Sequence, residues 1–290
     1  MRQFLAALVA SVIVATAALA ADDAVVIKVK RSAPGDVADT TKTEKASNKT
    51  TLNIKGTDRT QEQSGSSKLA YRDEVIERPA DAKRPTKFKR TYKTAELMRD
   101  TAKVDLGLAG KTVLIEKKGD KYEFTVDGKP LTGPAAEFLG REFGREKHLT
   151  EEDFFPKDPV KVGGTWKVDV AKVAKELGDD GMVVDPGKSS ATGKLIKTYD
   201  KAGAKFGILE LTLDMTVTTL KGGGGPDIAL KEGSKVTITM SADACIDGTL
   251  DTGKAKMTMK GSLSGEVMGM PIKIEMDVVQ ENASEEVKKK

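Results

Sequence analysis

The clearest pattern in the sequence is a strict alternation of apolar and polar side chains in the last third of the chain. Between residues 209 and 217, apolar side chains alternate with Glu, Asp and Thr, and three later stretches repeat the pattern. A period of two places alternate side chains on opposite faces of a strand, which predicts antiparallel strands with one apolar face. The predicted apolar face comprises Leu209, Leu211, Leu213, Met215, Val236, Ile238, Met240, Met257, Met259, Ile272 and Ile274.

Strands are also predicted before residue 134. Turn-forming residues separate the apolar stretches, so consecutive strands are expected to be neighbours in a meander. Residues 56–68, rich in Gln, Ser and Gly, predict a loop. The predicted strands are a β-branched run at 25–30, a Thr-rich strand or hairpin arm at 39–51, strands at 69–77 and 88–96, and a hairpin of 112–115 with 122–126.

The middle of the chain has helical character. Residues 134–146 place apolar side chains near one helical face, and a proline suits the first turn of that helix. Thr150 predicts the cap of a short helix. Asp169 predicts the cap of a second helix over 170–177, which Gly178 would end.

A proline-rich segment at 154–169 joins the helical part to the later strands. Its two prolines fix the backbone and its Gly163-Gly164 pair permits a tight turn, which predicts a rigid hinge. The segment holds the only tryptophan of the chain. We expect Trp166, Phe154 and Phe155 to anchor the hinge in the core.

These elements predict a mainly β (α+β) fold, in which a large curved antiparallel meander sheet or half-barrel wraps around a few central helices. Imperfect closure of the sheet over the helices would leave an apolar cleft. The predicted organisation is a signal peptide at 1–20, one β-rich domain at 21–286 with strands in 21–133 and 182–280 and the helices and hinge in 134–178, and a charged tail at 281–290.

The first twenty residues are typical of a cleavable secretory signal. A short basic start precedes an apolar run, and small residues stand at the two positions that a signal peptidase reads. The alternative is a membrane anchor, but the run is short for a bilayer span and Asp22-Asp23 follow directly. The sequence predicts an exported protein, periplasmic or extracellular, that does not span a membrane after cleavage.

Charge and cysteine content exclude several classes of protein. The 48 basic and 44 acidic residues are interleaved and aromatics are only 4%, which is a poor nucleic-acid footprint. A single cysteine excludes an intramolecular disulfide bond. Cys245 stands in a strand-like run, where a small apolar core residue is favoured over a reactive thiol.

The candidate chemical motifs are weak. His148 is the only histidine, which excludes a multi-histidine metal site, and the glycine run at 222–225 lacks the Lys-Ser/Thr ending of a phosphate loop. The acidic-glycine turns at 179–181 and 243–248 do not match a calcium loop. No catalytic, cofactor or metal residue is therefore predicted, and we expect a protein that is not an enzyme.

The late methionines allow two interpretations. Thioethers on one strand face would suit Cu(I) in an exported protein, whereas methionine also fills irregular apolar cores. The second is favoured because most of these methionines continue the apolar face and no histidine stands among them. The residues concerned are Met240, Met257, Met259, Met268, Met270 and Met276.

The Pro-rich segment carries a resemblance. Residues 155–166, ending in Val162-Gly163-Gly164-Thr165-Trp166, are similar to a phrase in exported β-rich bacterial proteins that contain a domain of unknown function, and Arg90-Thr91-Tyr92 fits the same likeness. More loosely, the architecture resembles lipoprotein carriers of the LolA/LppX kind, half-barrels that hold acyl chains between sheet and helices. The resemblance implies a shape and carries over no functional residue.

Three functional hypotheses follow. The first is a non-enzymatic exported protein that binds a lipid or another apolar small molecule between sheet and helices, without a cofactor. The second is an envelope structural or interaction protein, which predicts an exposed apolar patch or a bare sheet edge. The third is an enzyme working through a pair of Asp or Glu residues, although the sequence singles out no pair.

Overall fold

The computed structural model describes residues 24–143, 149–222 and 226–288. The predicted signal peptide and His148 lie outside the described residues. No helix among the residues described is long and apolar enough to cross a bilayer.

Most of the described chain is one antiparallel sheet of fifteen strands, accompanied by two α-helices and two 3-10 turns. The expected mainly β (α+β) fold is confirmed, and the curved sheet does not close into a barrel. The elements are β1 (Val37–Ile54), β2 (Thr57–Glu77), β3 (Lys87–Arg99), β4 (Ala102–Asp105), β5 (Thr112–Lys118), β6 (Lys121–Val126), β7 (Lys129–Pro130), α1 (Gly133–Phe143), a first 3-10 turn (Glu151–Phe154), β8 (Thr165–Lys167), α2 (Val170–Asp179), β9 (Met182–Val184), a second 3-10 turn (Pro186–Lys188), β10 (Ser190–Lys201), β11 (Ala204–Leu220), β12 (Ile228–Ala229), β13 (Lys235–Cys245), β14 (Gly253–Val267) and β15 (Met270–Lys288).

The sheet consists of two meanders joined at one seam. The strand order is β7-β6-β5-β3-β2-β1-β15-β14-β13-β11-β10-β8, with β4 beside β3 and with β9 and β12 beside β11. The seam pairs β1 with β15, from Ala38 opposite Lys288 to Ile54 opposite Ile272. The first and last long strands therefore meet in the middle of the sheet.

Residues 56–68 are not the loop that their composition predicts. The β1–β2 turn is confined to Lys55 and Gly56, both at positive φ (52° and 81°), and β2 begins at Thr57. The first half of β2 is polar and exposed, which explains its loop-like composition. It is a strand because β1 supplies hydrogen-bonding partners along its whole length.

Three smaller expectations also differ from the structure. Residues 281–288, predicted to be a charged tail, continue β15 to the end of the seam with β1. Residues 25–30 form no strand but only isolated bridges from Val25 to Val160 and from Lys28 to Asp247. The second helix continues through Gly178 to Asp179.

Two apolar clusters lie on the same face of the sheet, which we call the inner face. Residues directly opposite in an antiparallel pair share a face, and the register joins the two clusters across β1 and β15. The α1 cluster comprises Leu69, Tyr71, Phe88, Tyr92, Leu106, Leu108, Val113, Ile115, Ala135, Leu139 and Phe143. The α2 cluster comprises Ile27, Val160, Trp166, Val168, Val173, Ala174, Val184, Ala191, Leu195, Leu209, Leu211, Leu213, Met215, Val217, Val236, Ile246 and Leu263.

Each helix packs near one end of the sheet. α1 contacts mainly β6, whereas α2 contacts mainly β9 and the second 3-10 turn. The Asp169 side chain caps α2 by accepting a hydrogen bond from the Ala171 backbone N–H at 3.0 Å. The middle strands, β1, β15 and β14, pair chiefly with one another and with β2 and β13.

Candidate functional site

The predicted apolar face divides into a buried part and a half-buried part. Of the eleven predicted lining residues, five belong to the α2 cluster and are in contact with protein, namely Leu209, Leu211, Leu213, Met215 and Val236. Ile272 is also buried. The remaining five, Ile238, Met240, Met257, Met259 and Ile274, are half-buried, and all of them except Met257 also pack against the α2 cluster.

The half-buried residues continue as a strip along the middle of the inner face. Met276 and Val278 on β15 extend it, and Leu52 on β1 lies opposite Ile274. From Ile272 to Val278 the strip spans about 20 Å, at the usual rise of a strand. We call these residues (Ile238, Met240, Met257, Met259, Ile274, Met276, Val278 and Leu52) the inner strip.

The inner strip ends at a mixed group of small and amide-bearing residues. Ala46 on β1 lies opposite Gln280 on β15, and Ala255 and Gly253 on β14 lie opposite Asn282 and Ser284. The hydroxyl of Ser284 donates a hydrogen bond to the backbone oxygen of Asp251 at 3.1 Å, so the connection between β13 and β14 lies beside these residues.

Beyond the small residues the inner face becomes charged. Glu286 on β15, opposite Thr40 of β1, is 6% exposed and forms an ion pair with Lys30. Its other carboxylate oxygen accepts a hydrogen bond from the backbone N–H of Asp251 at 2.9 Å. Lys30 thus attaches the segment before β1 to the last strand of the sheet.

Asp251, whose backbone N–H bonds to Glu286, belongs to the same region. Desolvation by surrounding protein atoms and the nearby Glu286 carboxylate raise the pKa of Asp251. Asp251 is nevertheless exposed to solvent, in the connection between β13 and β14, and its carboxylate accepts no hydrogen bond from the residues described.

A buried arginine lies on the side of the α1 cluster. Arg90 is 5% exposed and donates two hydrogen bonds of 2.8 Å to Asp73, and a third of 3.0 Å to Glu142 near the end of α1. Its guanidinium lies 3.8 Å from the ring centroid of Tyr71. Burial raises the pKa of the adjacent Tyr92 to about 12.

Lys42 lies on the inner face between these two groups. It is half-buried on β1, two residues from Thr40, and its charge acts on both Glu142 and Asp251. Within the described ranges it makes no direct hydrogen bond or ion pair. We call Lys30, Lys42, Glu44, Asp73, Arg90, Glu142, Asp251 and Glu286 the polar end of the inner face.

The polar end was missed from the sequence. The available signal was that Thr40, Lys42 and Glu44 share a face with Leu52 and Ile54 on one strand. When one face of a strand changes from apolar to charged residues, the apolar part and the charged part have different environments. The partners on β3, α1 and β15 are distant in sequence, so their assembly required the fold.

The remaining candidates take no part in this arrangement. Cys245 is half-buried, with Sγ 3.1 Å from Asp247 Oδ1. Met268 is 86% exposed at the β14–β15 turn. No group of three or more metal-ligating His, Cys, Asp or Glu residues occurs in the part of the chain that the structure describes.

The hinge residues pack against the α2 cluster. Trp166 is buried and its Nε1–H donates to the backbone oxygen of Phe154 at 2.7 Å. Phe154 and Phe155 are half-buried against the same cluster.

Two open hollows lie away from the inner strip. One of about 430 Å³ lies on the opposite face of the sheet and is lined mainly by polar residues, among them Lys45, Lys254 and Glu281. The other, of about 550 Å³, lies between the segment before β1 and the Pro-rich segment and includes Val26 and Phe155.

Comparisons with known proteins show little likeness. No protein-family model matches the chain, and no curated protein matches it. A solved structure of a DUF1329 family protein from Desulfovibrio piger aligns at 12% identity over 81% of this chain and 83% of its own, with a TM-score of 0.11. Intact Ap-TbpB, with its N and C lobes, aligns at 11% identity over 89% of this chain and 79% of its own, with a TM-score of 0.10.

Proposed function

We propose that the chain is an exported, non-enzymatic protein that binds an apolar ligand, such as an acyl chain, along the inner strip. The observation that carries this proposal is the row of half-buried Met, Ile and Val side chains on the middle strands, between the regions that α1 and α2 contact. Each methylene transferred from water onto such a surface contributes about 0.8 kcal/mol. Methionine suits this role because its flexible side chain adapts to ligands of different shape.

The absence of an enzymatic role is part of the proposal. Two sets of carboxylates stand together at the polar end, but Glu286 beside Asp251 is already paired with Lys30, and Asp73 and Glu142 are both bound by Arg90. A general acid–base pair needs one carboxyl that is free to exchange its proton near the reacting group. Ligand binding accounts for the long apolar strip beside these charges. Acid–base catalysis by carboxyl groups would not require such a strip.

The test has two parts. Native mass spectrometry of the mature protein, purified from its own envelope, should show an adduct of lipid mass that is lost on denaturation. The probe N-phenyl-1-naphthylamine should bind saturably, and Met259→Glu should weaken its binding by about tenfold or more because a charge would enter the apolar strip. Thr258→Glu, on the opposite face of the same strand, should change the affinity less than about twofold.

A bare polypeptide mass together with no saturable probe binding would overturn the proposal. Circular dichroism and thermal unfolding of both variants establish that they are folded. If the two variants weakened the probe equally, the binding surface would not be the inner strip.

A second candidate function is interaction with another protein. The first half of β2, Thr57–Gln63, is exposed and pairs only with β1 among the described strands, because β3 begins its pairing at Gly65. An open strand edge offers backbone donors and acceptors to a strand of another chain. Crosslinking in intact envelope should then join this segment to a partner, and a pull-down that returned none would count against this candidate.

A further inference from the structure

We infer that the ligand of the inner strip is an amphiphile with a zwitterionic head group, and that Lys42 and Asp251 bind the two charges of that head. This inference rests on the proposed function and adds the orientation and the chemical class of the ligand.

The inner face changes character along a single strand. On β1 it runs from Ile54 and Leu52, through Thr50, Asn48, Ala46 and Glu44, to Lys42 and Thr40. On β15 it runs from the apolar residues up to Val278, through Gln280, Asn282 and Ser284, to Glu286. A ligand with its head over Lys42 would reach the strip at Met257 and Met240, which lie four residues along β14 and β13 from Gly253 and Ala244.

Small residues on the sheet beside Lys42 leave room for the head group of the ligand. Ser284 and Gly253 lie directly beside Lys42 across β15 and β14, and Ala244 follows on β13. A Cβ added at Gly253 would stand 2.7 Å from the Cβ of Ala244, so even an alanine would require the strands to shift. The close approach of β13 and β14 therefore allows only a very small residue on the sheet surface beside Lys42.

Most charged groups at the polar end already have partners. Arg90 is bound by Asp73 and Glu142, and Lys30 by Glu286. Glu44 accepts a hydrogen bond of 2.8 Å from Gln280 Nε2. Of the eight residues of the polar end, Lys42 and Asp251 are the two whose side chains form no direct hydrogen bond or ion pair with the described residues.

These two groups together favour a head that carries both signs of charge. A purely anionic head beside Lys42 would also approach Asp251 and Glu142, and a purely cationic head beside Asp251 would approach Lys42. Like charges in a partly desolvated site are unfavourable by the same electrostatics that stabilise opposite ones. A phosphoethanolamine-type head, with its phosphate toward Lys42 and its amine toward Asp251, satisfies both.

The raised pKa of Asp251 supports this assignment. Desolvation and Glu286 outweigh the attraction of Lys42 and Lys30, so the carboxylate lacks adequate compensation in the free protein. An amine brought to Asp251 by a ligand would supply that compensation.

The test compares four ligands that share a palmitoyl-length chain and differ in the head. They are lysophosphatidylethanolamine (zwitterionic), palmitate (anionic), hexadecylamine (cationic) and monopalmitoylglycerol (uncharged), each measured below its micelle concentration by displacement of N-phenyl-1-naphthylamine. The dissociation constant of the zwitterionic ligand should be lower than those of the others by about tenfold or more. A difference of this size is expected of charge-assisted hydrogen bonds. Palmitate and hexadecylamine should rank below the uncharged ligand or equal to it.

Variants separate the two charges. Lys42→Met and Asp251→Asn should each remove the preference for the zwitterion, while the affinity for monopalmitoylglycerol stays within about twofold. Lys45→Met, on the opposite face of the same strand, is the matched control and should leave the ranking unchanged. Retained thermal unfolding temperatures exclude loss of fold.

The outcomes distinguish this inference from the proposed function. Equal affinities for all four heads, or a preference that survives Lys42→Met and Asp251→Asn, would overturn the head-group inference while binding at the strip stands. No binding of any of the four ligands would overturn the proposed function as well.

Discussion

The indole ring of Trp166 lies directly on the backbone of Gly193. The two residues are opposite one another on β8 and β10, and a Cβ atom at position 193 would stand 2.1 Å from Trp166 Cε2. The Nε1–H of the same indole donates a hydrogen bond to the backbone oxygen of Phe154. The missing side chain at Gly193 thus allows the Pro-rich segment to pack on the sheet.

Gly193→Ala should therefore destabilise the protein. The added methyl group overlaps ring carbons rather than the tip of a flexible side chain, so we expect a loss of about 1–3 kcal/mol in the free energy of unfolding. Urea unfolding followed by the fluorescence of Trp166 measures it. Gly178→Ala, in α2 with no atom within 4 Å of the added Cβ, is the control and should leave stability unchanged or raise it by about 0.5–1 kcal/mol. Equal losses in the two variants would contradict the packing argument.

Removing the Arg90 guanidinium should be among the most harmful single changes. Arg90→Met leaves Asp73 and Glu142 without their shared cation beside a buried cluster, which typically costs about 3–5 kcal/mol. Differential scanning calorimetry or urea unfolding measures the loss. Lys118→Met, which removes a salt bridge to Glu123 between exposed side chains, should produce no measurable change. A neutral Arg90→Met would show that the cluster is not required for the fold.

Stability should fall in acid for identifiable reasons. A hydrogen bond from Arg72 lowers the pKa of Asp39 to about 2, and one from Lys172 lowers the pKa of Asp153 to about 2. Because both values lie below the unfolded value of about 4, their stabilising effect is complete above that pH and is lost as the pH falls toward 2. Urea unfolding between pH 6 and 2 measures the slope. Asp39→Asn should flatten it, and Asp81→Asn, at an exposed turn, should not.

The segment before β1 should detach when its buried ion pair is broken. Lys30→Met leaves Glu286 buried without its cation, while the Arg31–Glu152 pair of the same segment remains. Hydrogen exchange should speed up at Val25 and Lys28, whose amides bond to Val160 and Ile246. Arg31→Met is the control, since that pair is exposed on both sides. Unchanged protection at Val25 and Lys28 in Lys30→Met would show that other contacts hold the segment.

Periodicity predicted the fold wherever one strand face is buried. The alternation at 209–217 matches β11, whose odd residues are buried in the α2 cluster. The helix at 134–146 was predicted for the same reason, because a helix with one buried face has apolar residues at regular helical spacing in the sequence. Ala135, Leu139 and Phe143 are its buried residues.

Composition was misleading where polar residues predominate along a strand. Residues 56–68 and 281–288 carry Gln, Ser, Glu and Lys, yet β1 pairs with both. The polar end was unpredictable for another reason. Arg90 and Glu142 are 52 residues apart, and Lys30 and Glu286 are 256 apart, so no local pattern links them.

The seam between β1 and β15 has a consequence for how the chain reaches this structure. All the other strands lie between β1 and β15 in the sequence, so the edge of β1 that β15 pairs stays open until β15 has been synthesised. Contacts of such sequence separation slow folding, and an open edge in the meantime invites pairing between nascent chains. Closure of the seam should be the late, rate-determining event of folding. Until then, the polar side chains of β1 should disfavour its pairing with another nascent chain.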